Sequence, residues 1–138
     1  MPEGKTFKDV LERFRSITFN EDFDLIVAVA NGGIIPAAIL NQRLNVDIRL
    51  IKISLRDNNQ KPKYGAPQLV APIDFDFKEK KILLVEDRVK TGASLRFACD
   101  LLNKEAAWVK TFAVNGAADY SLYEEECFKF PWILDIKI

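Results

Sequence analysis

Two adjacent carboxylates, Glu86 and Asp87, lie between an apolar run and a short segment of hydroxyl-bearing and glycine residues. The residues before them, 82–85, are all branched and apolar, which is typical of a parallel strand buried on both faces. Residues 91–94, after them, read Thr-Gly-Ala-Ser. Carboxylates accept hydrogen bonds from the vicinal hydroxyls of a sugar, and the N–H groups of such a turn suit a phosphate. The run therefore predicts a site for a phosphorylated pentose.

A helix is predicted to begin directly after this turn. Its apolar residues recur at helical spacing, and they are Phe97, Ala98, Leu101 and Leu102. Thr91 is predicted as the N-cap, Gly92 lets the backbone approach a ligand closely, and the hydroxyls of Thr91 and Ser94 add donors for the phosphate. The alternative is an ordinary turn between a strand and a helix, in which the acids face solvent and Thr91 only caps the helix.

In order and spacing, this run resembles the signature of the type I phosphoribosyltransferases, which is an apolar strand, two acidic residues, a short variable stretch and Thr-Gly-x-Thr or Thr-Gly-x-Ser. In that family the acidic pair holds the ribose hydroxyls of phosphoribosyl pyrophosphate, and the loop holds its 5-phosphate. The resemblance gives the catalytic, ribose-holding role to Glu86 and Asp87. It gives phosphoribosyl binding to the loop residues Lys90, Thr91, Gly92, Ala93 and Ser94. It also implies Mg²⁺ as the cofactor, held by the two carboxylates directly or through water.

A second loop follows the first predicted strand, where residues 30–36 read Ala-Asn-Gly-Gly-Ile-Ile-Pro. Paired glycines permit unusual backbone angles and leave amides exposed to an anion at the start of a helix. The segment resembles the family's pyrophosphate loop, which implies pyrophosphate binding by Asn31, Gly32 and Gly33. Many members have Arg or Lys before the glycines, whereas this chain has Asn31. The alternative is a purely structural Gly-Gly turn.

The composition excludes several kinds of chemistry. The 138 residues include 20 basic residues, 20 acidic residues and no histidine. Ser-His-Asp catalysis, Cys-His catalysis and histidine-ligated zinc are therefore excluded, whereas carboxylates, lysines, hydroxyls and oxygen-bound magnesium remain. A net charge of zero argues against a nucleic-acid or membrane partner. We expect a cytoplasmic protein, in which Cys99 and Cys127 are reduced.

Helical and strand patterns alternate along the chain. Helices are predicted over residues 7–17, 33–44 and 93–102, and strands over residues 23–30, 49–55, 68–71, 82–85 and 109–114. Strands separated by helices indicate right-handed βαβ units, and ligands of such sheets bind beyond the carboxyl ends of the strands. We predict a single α/β domain over residues 1–138, with a mainly parallel twisted sheet flanked by helices. The resemblance identifies this as the type I phosphoribosyltransferase fold.

Two further segments take their interpretation from the resemblance. Residues 56–67 are polar and rich in turn formers, and they correspond to the family's flexible lid; the alternative is a solvated surface hairpin. Residues 116–138 resemble the short C-terminal hood of the xanthine, guanine and hypoxanthine phosphoribosyltransferases. Trp132 is the candidate to stack on a purine there, and packing is the alternative, because every second residue from 128 to 132 is aromatic as in a strand.

Two positions depart from the purine enzymes. Those enzymes commonly have an aspartate immediately before Thr-Gly, where this chain has Lys90. They also place a lysine after the strand that corresponds to residues 109–114, where it contacts the 6-oxo group, whereas this chain has Val114, Asn115 and Gly116. An amide hydrogen-bonds a base edge in either orientation, so Asn115 is the second candidate for binding the base.

The resemblance implies a transferase that moves a phosphoribosyl group from phosphoribosyl pyrophosphate to a nitrogenous base, with a 6-oxopurine as the expected acceptor and purine salvage as the expected role. A homodimer is expected, because family members are frequently dimers. One alternative is a catalytically diverged protein that binds a nucleotide or phosphoribosyl pyrophosphate in a regulatory role. A receiver-type switch is disfavoured, because receivers need acids at the end of the first strand and this strand ends at Val29, Ala30 and Asn31.

Overall fold

The computed structural model describes residues 4–54 and 66–134, and a six-stranded sheet lies at its centre. The helices are α1 (Phe7–Ser16), α2 (Ile34–Leu44) and α3 (Ala93–Asn103). The strands are β1 (Leu25–Ala30), β2 (Ile48–Ser54), β3 (Gln68–Leu69), β4 (Lys81–Arg88), β5 (Trp108–Asn115) and β6 (Tyr120–Tyr123). The strand order is β3-β2-β1-β4-β5-β6, and every neighbouring pair is parallel except β2 with β3. The predicted mainly parallel α/β sheet is confirmed.

The central strands are apolar along their length because helices cover both faces of the sheet. Residues 82–85 of β4 are 0% exposed. Leu83 and Val85 belong to a core cluster with residues of α1 and α2, whereas Ile82 and Leu84 pack with residues of α3. Successive side chains of a strand point to opposite faces, so a strand with two covered faces has no position for a polar side chain.

A capping box fixes the start of α1. The Thr6 Oγ1 atom accepts a hydrogen bond from the N–H group of Asp9 at 3.1 Å, and the Asp9 carboxylate accepts one from the N–H group of Thr6 at 3.4 Å. Val10 and Phe14 on the inner face of the helix are buried. The helix ends at Ser16, one residue before the predicted end.

The strand that carries the acidic pair is longer than predicted. Instead of ending at Val85, β4 continues to Arg88, so Glu86 and Asp87 lie within the sheet and not in a turn after it. Strand β5 runs alongside this extension, with Glu86 opposite Ala113. The carboxylates therefore point to opposite faces of the strand, and the backbone on either side of Asp87 is held by the pairing of Glu86 and Arg88 with β5.

The C-terminal part of the described chain also differs from the prediction. Strand β6 was not predicted; it is four residues long and pairs in parallel with β5. Residues 128–132, which alternate as a strand would, form no strand. Phe128 and Phe130 are nevertheless only 2% and 1% exposed, and their rings contact each other with centroids 5.3 Å apart. The alternation reflects aromatic packing against the core.

Most of the predicted lid, residues 56–67, lies outside the described part of the chain, and only Ala66 and Pro67 belong to it. These two residues lead into β3, which confirms only the first part of the strand predicted over 68–71. Among the helices of residues 4–54 and 66–134, none has the length and apolar character that crossing a membrane requires.

Burial of the central strand predicts the stability of two matched variants. Leu83 in β4 is 0% exposed, whereas Leu50 in β2 is 47% exposed. We expect Leu83→Ala to lower the free energy of unfolding by about 2–5 kcal/mol, because the truncation leaves a cavity in the core. We expect Leu50→Ala to change it by less than about 1 kcal/mol. Urea denaturation measures both values, and equal losses would contradict the described core.

Candidate active site

The carboxyl ends of β1 and β4 bring two loops together at one edge of the sheet. These strands are parallel neighbours in the middle of the sheet, and Ala28 lies opposite Val85. The chain leaves β1 for α2 on one face and leaves β4 for α3 on the other. A crevice outside the strand ends at such a switch point is the usual ligand site of this class of sheet.

Asp87 lies directly against the loop that follows β1. A Cβ atom at Gly32 would lie 2.5 Å from Oδ1 of Asp87, so the approach is possible only for glycine. The peptide bond between Ala30 and Asn31 is cis. The N–H group of Gly33 donates to the Val29 carbonyl at 2.8 Å, whereas those of Asn31 and Gly32 donate to no acceptor in the described part of the chain. Backbone donors thus lie next to a carboxylate.

Glu86 lies on the opposite side of the strand and lines a cavity of about 230 Å³ with residues 88–95. Its Oε1 atom accepts a hydrogen bond from the N–H group of Asp87 at 3.2 Å. Burial of the carboxyl, and secondly the neighbouring charge of Asp87, raise the pKa of Glu86 from 4.5 to about 8. Glu86 is therefore largely protonated at neutral pH in the free protein, and an ion or hydroxyl donor that favours its ionised form would displace the proton.

The loop before α3 forms the wall of this cavity. Gly92 is the N-cap residue and has a φ of 83°, a left-handed conformation that favours glycine. The prediction of Thr91 as the N-cap is wrong; its hydroxyl instead accepts a hydrogen bond from the N–H group of Ala93 at 3.2 Å. The first helical hydrogen bond runs from Arg96 N–H to the Gly92 carbonyl, so the N–H groups of Ser94 and Leu95, which meet no acceptor in the described residues, are available to an anion.

Two arginines at the site were missed from the sequence. Arg96 donates from Nη1 to the Thr91 carbonyl at 3.3 Å, so its guanidinium lies against the loop of residues 90–94. Arg88 donates from Nη2 to the Phe128 carbonyl at 2.7 Å, and its Cζ lies 4.8 Å from the centroid of the Phe130 ring. The signal was present, because each arginine lies within four residues of a predicted ligand residue, but only the structure shows where each side chain points.

Asn115, predicted to contact a base, has its side chain engaged in the protein. It is 3% exposed. Its Nδ2 atom donates to the Glu125 carbonyl at 3.2 Å, and its Oδ1 atom accepts from the N–H group of Glu125 at 3.0 Å. The amide therefore holds the segment after β6 against the end of β5.

Trp132, the predicted stacking residue, packs within the protein. Its ring stacks on Phe130 with centroids 5.1 Å apart and planes at 16°, and it contacts the ring of Phe7 at 6.1 Å. Phe130 in turn lies beneath the Arg88 guanidinium. In the described residues Trp132 is thus connected to the site through Phe130 and Arg88, and not by direct exposure to the cavity beside the acids.

The acidic pair suits a magnesium ion shared with a substrate. In the described ranges no group of three or more acidic, cysteine or histidine residues forms a complete metal cage. Mg²⁺ is usually held by one or two carboxylates together with substrate phosphates and water. Glu86 and Asp87 supply the two carboxylates. The two carboxylates therefore fit a Mg²⁺ ion that takes its remaining ligands from substrate and water. They are too few to hold a metal ion with protein ligands alone.

A family model described as the phosphoribosyl transferase domain matches residues 6–130. The chain belongs to this family of enzymes. A xanthine-guanine phosphoribosyltransferase of Chromohalobacter salexigens is 34% identical over 121 residues, which are 83% of this chain and 72% of that protein. An orotate phosphoribosyltransferase of Sulfurisphaera tokodaii is 31% identical over 103 residues, 75% of this chain, and the match spans only 48% of that relative's length.

Solved structures share the fold. A purine phosphoribosyltransferase of Pyrococcus horikoshii superimposes with a TM-score of 0.80 at 24% identity, covering 99% of this chain and 96% of that one. A hypothetical protein of Neisseria gonorrhoeae with bound ppGpp gives a TM-score of 0.75 at 17% identity, covering 94% and 88%. The predicted phosphoribosyltransferase fold is confirmed.

The structure brings most of the predicted phosphoribosyltransferase residues to one edge of the sheet. Gly32, in the loop of residues 31–33, lies against Asp87, and residues 90–94 line the cavity beside Glu86. The roles assigned to these residues stay predictions.

The raised pKa of Glu86 predicts a pH-dependent stability. Folding raises this pKa from 4.5 to about 8, so burial of Glu86 is without penalty below about pH 4.5 and increasingly unfavourable up to about pH 8. We expect Glu86→Gln to be more stable than the wild type, by a margin that widens over this range by up to about 1.4 kcal/mol per pH unit and then levels off.

Urea denaturation at a series of pH values measures this margin. Glu105→Gln, which alters an exposed carboxylate just beyond α3, is the matched control. A margin for Glu86→Gln that does not change with pH would contradict the burial of this carboxyl.

Proposed function

We propose that this phosphoribosyltransferase transfers the phosphoribosyl group of phosphoribosyl pyrophosphate to a nucleobase, giving a nucleoside monophosphate and pyrophosphate. The observation that carries the proposal is the contact of Gly32 with Asp87, because it joins the loop after β1 to the acidic pair of β4 in a single site. A 6-oxopurine is the proposed acceptor, which the xanthine-guanine relative supports.

Each part of the substrate has a matching group in the site. The hydroxyls of Thr91 and Ser94 and the free N–H groups at the start of α3 hold the 5-phosphate. Glu86 and Asp87 accept hydrogen bonds from the ribose hydroxyls. Pyrophosphate lies at residues 31–33, where the backbone N–H groups of Asn31 and Gly32 have no acceptor in the described chain.

These groups act by position and charge. The bond from the anomeric carbon to pyrophosphate breaks, the bond to the base nitrogen forms, and the base loses a proton. Positive charge develops on the sugar as the leaving group departs, and the adjacent carboxylates stabilise it. Mg²⁺, held by Glu86 and Asp87 directly or through water, would neutralise phosphate charge when bound. Alignment of the two reactants by the loops lowers the barrier without a covalent intermediate.

The hood contributes to the base site mainly through packing. We propose that Trp132 supports the Phe130 ring on which Arg88 rests, and that Asn115 fixes residues 125–126 beside the base. Most of the predicted lid, residues 56–67, lies outside the described residues, and its closure stays a prediction. A homodimer and a cytoplasmic location stay predictions as well.

A regulatory nucleotide-binding protein is the second candidate. The structural neighbour from Neisseria gonorrhoeae holds ppGpp, a nucleotide with a pyrophosphate group on each side of its ribose, in the same fold. Asn31 supports this candidate, because many members of the family have Arg or Lys before the glycines and this chain has an uncharged residue there. Such a protein would bind phosphorylated ribose at the same loops without breaking its glycosidic bond.

Pyrophosphate release separates the two candidates. Incubation with phosphoribosyl pyrophosphate, Mg²⁺ and either xanthine, guanine or hypoxanthine is expected to release pyrophosphate only when a base is present. Tight binding of phosphoribosyl pyrophosphate or ppGpp in calorimetry, with no release for any base, would contradict the enzyme and support the regulatory protein.

Substitution of Asp87 tests the acidic pair. We expect Asp87→Asn to lower kcat/KM by about ten- to a hundredfold, because the loss of a hydrogen bond to a charged group weakens the transition state by about 1.5–3 kcal/mol. Asp100→Asn, which alters an exposed carboxylate of α3, is the control and should retain wild-type activity. Steady-state kinetics measures both, and an unaffected Asp87→Asn enzyme would exclude Asp87 from the reaction.

A further inference from the structure

Two cavities share a wall formed by the residues that follow the acidic pair. The first, of about 230 Å³, lies beside Glu86 and the loop before α3. The second, of about 190 Å³, has Asn115, Gly116, Glu125 and Cys127 in its lining. Residues 88–90 line both. The two cavities therefore adjoin, and a ligand held in the first lies next to the second.

The second cavity has a positive wall. Arg88 and Lys90 line it together with one carboxylate, that of Glu125. That carboxylate is already paired, since its Oε1 atom lies 2.9 Å from Nζ of Lys5. The Asn115 amide is engaged with the backbone of residues 125–126. Of the charged groups that line this cavity, those left to meet a ligand are therefore the two cations.

The two cations differ in how firmly they are held. The Arg88 guanidinium is fixed by the Phe128 carbonyl at 2.7 Å and by the Phe130 ring at 4.8 Å, so its plane is set before any ligand arrives. Lys90 is exposed, and its ammonium makes no ion pair with a residue of the described ranges. One cation forms a rigid wall, and the other can move to meet an acceptor.

We propose that the second cavity receives the base, and that Arg88 and Lys90 select bases that bear carbonyl or carboxylate oxygens over adenine. The inference rests on the proposed function, because it takes the phosphoribosyl group to lie in the first cavity. Oxygens of xanthine or orotate accept hydrogen bonds from both cations, whereas the amino group of adenine is a donor and meets only donors. Lys90 then supplies the charge that purine enzymes place after β5.

Calorimetric titration of four ligands with Mg²⁺ tests this selection. The ligands are ribose 5-phosphate, xanthosine monophosphate, orotidine monophosphate and adenosine monophosphate, so that the phosphoribosyl part is constant and only the base varies. We expect xanthosine and orotidine monophosphates to bind at least about tenfold more tightly than adenosine monophosphate, the scale of one hydrogen bond to a charged group.

The variant Lys90→Met is expected to reduce that preference by about tenfold, because one of the two cations is lost while the protein surface changes little. Lys78→Met, which removes an exposed lysine before β4, is the matched control and should leave all four affinities unchanged. Arg88→Met is expected to reduce the preference too. Because Arg88 also holds the hood through the Phe128 carbonyl, the result for Lys90→Met is the one that tests the inference.

Each remaining outcome has a distinct meaning. Equal affinities for the three nucleotides would overturn the inference. An equal loss for all four ligands in Lys90→Met would also overturn it, because Lys90 would then bind the phosphate. Failure of ribose 5-phosphate to bind would instead contradict the proposed function, whereas its binding without discrimination among bases would leave that function intact and remove only the inference.

Discussion

The approach of Asp87 to Gly32 depends on the absence of a side chain at position 32, and the rest of the site depends on that approach. It requires β1 and β4 to be parallel neighbours with a fixed register, since a shift of one residue would carry Asp87 to the other face of the sheet. The register in turn is set by apolar residues whose alternate side chains fill two separate core clusters. The geometry of a polar site is therefore determined by burial several residues away.

The neighbouring carboxylates create a second constraint. Because Glu86 is half-buried beside the charge of Asp87, the pair resists carrying two negative charges in the free protein. A cation or a sugar that develops positive charge removes this resistance. The protein as a whole has no net charge, so the proposed binding of a phosphorylated ligand would depend on local groups, which are helix and loop N–H donors, Arg88, Lys90 and Arg96.

The sequence predicted the elements whose pattern is local. The three helices and the central strands have a hydrophobic period long enough to identify, and their ends differ from the prediction by three residues or fewer. The loops at the acidic pair and at residues 31–33 were also predicted, because glycine, hydroxyl and acidic residues occur there in a specific order. The extension of β4 to Arg88 was missed, since its polar residues are held by pairing with β5, which no local pattern reveals. Asn115 and Trp132 were named as base contacts from their types, whereas their actual partners come from distant parts of the chain.

The hood and the loop of residues 90–94 are supported by different parts of the protein. Asn115 and Arg88 attach the segment after β6 to the sheet, whereas the loop of residues 90–94 is shaped by Gly92 and the start of α3. During evolution, substitutions in the hood can therefore accumulate while selection keeps the loop of residues 90–94 unchanged. A family built in this way can diversify the bases it accepts and still retain one sugar-phosphate donor, so that divergence of substrate range does not require the invention of a new catalytic centre.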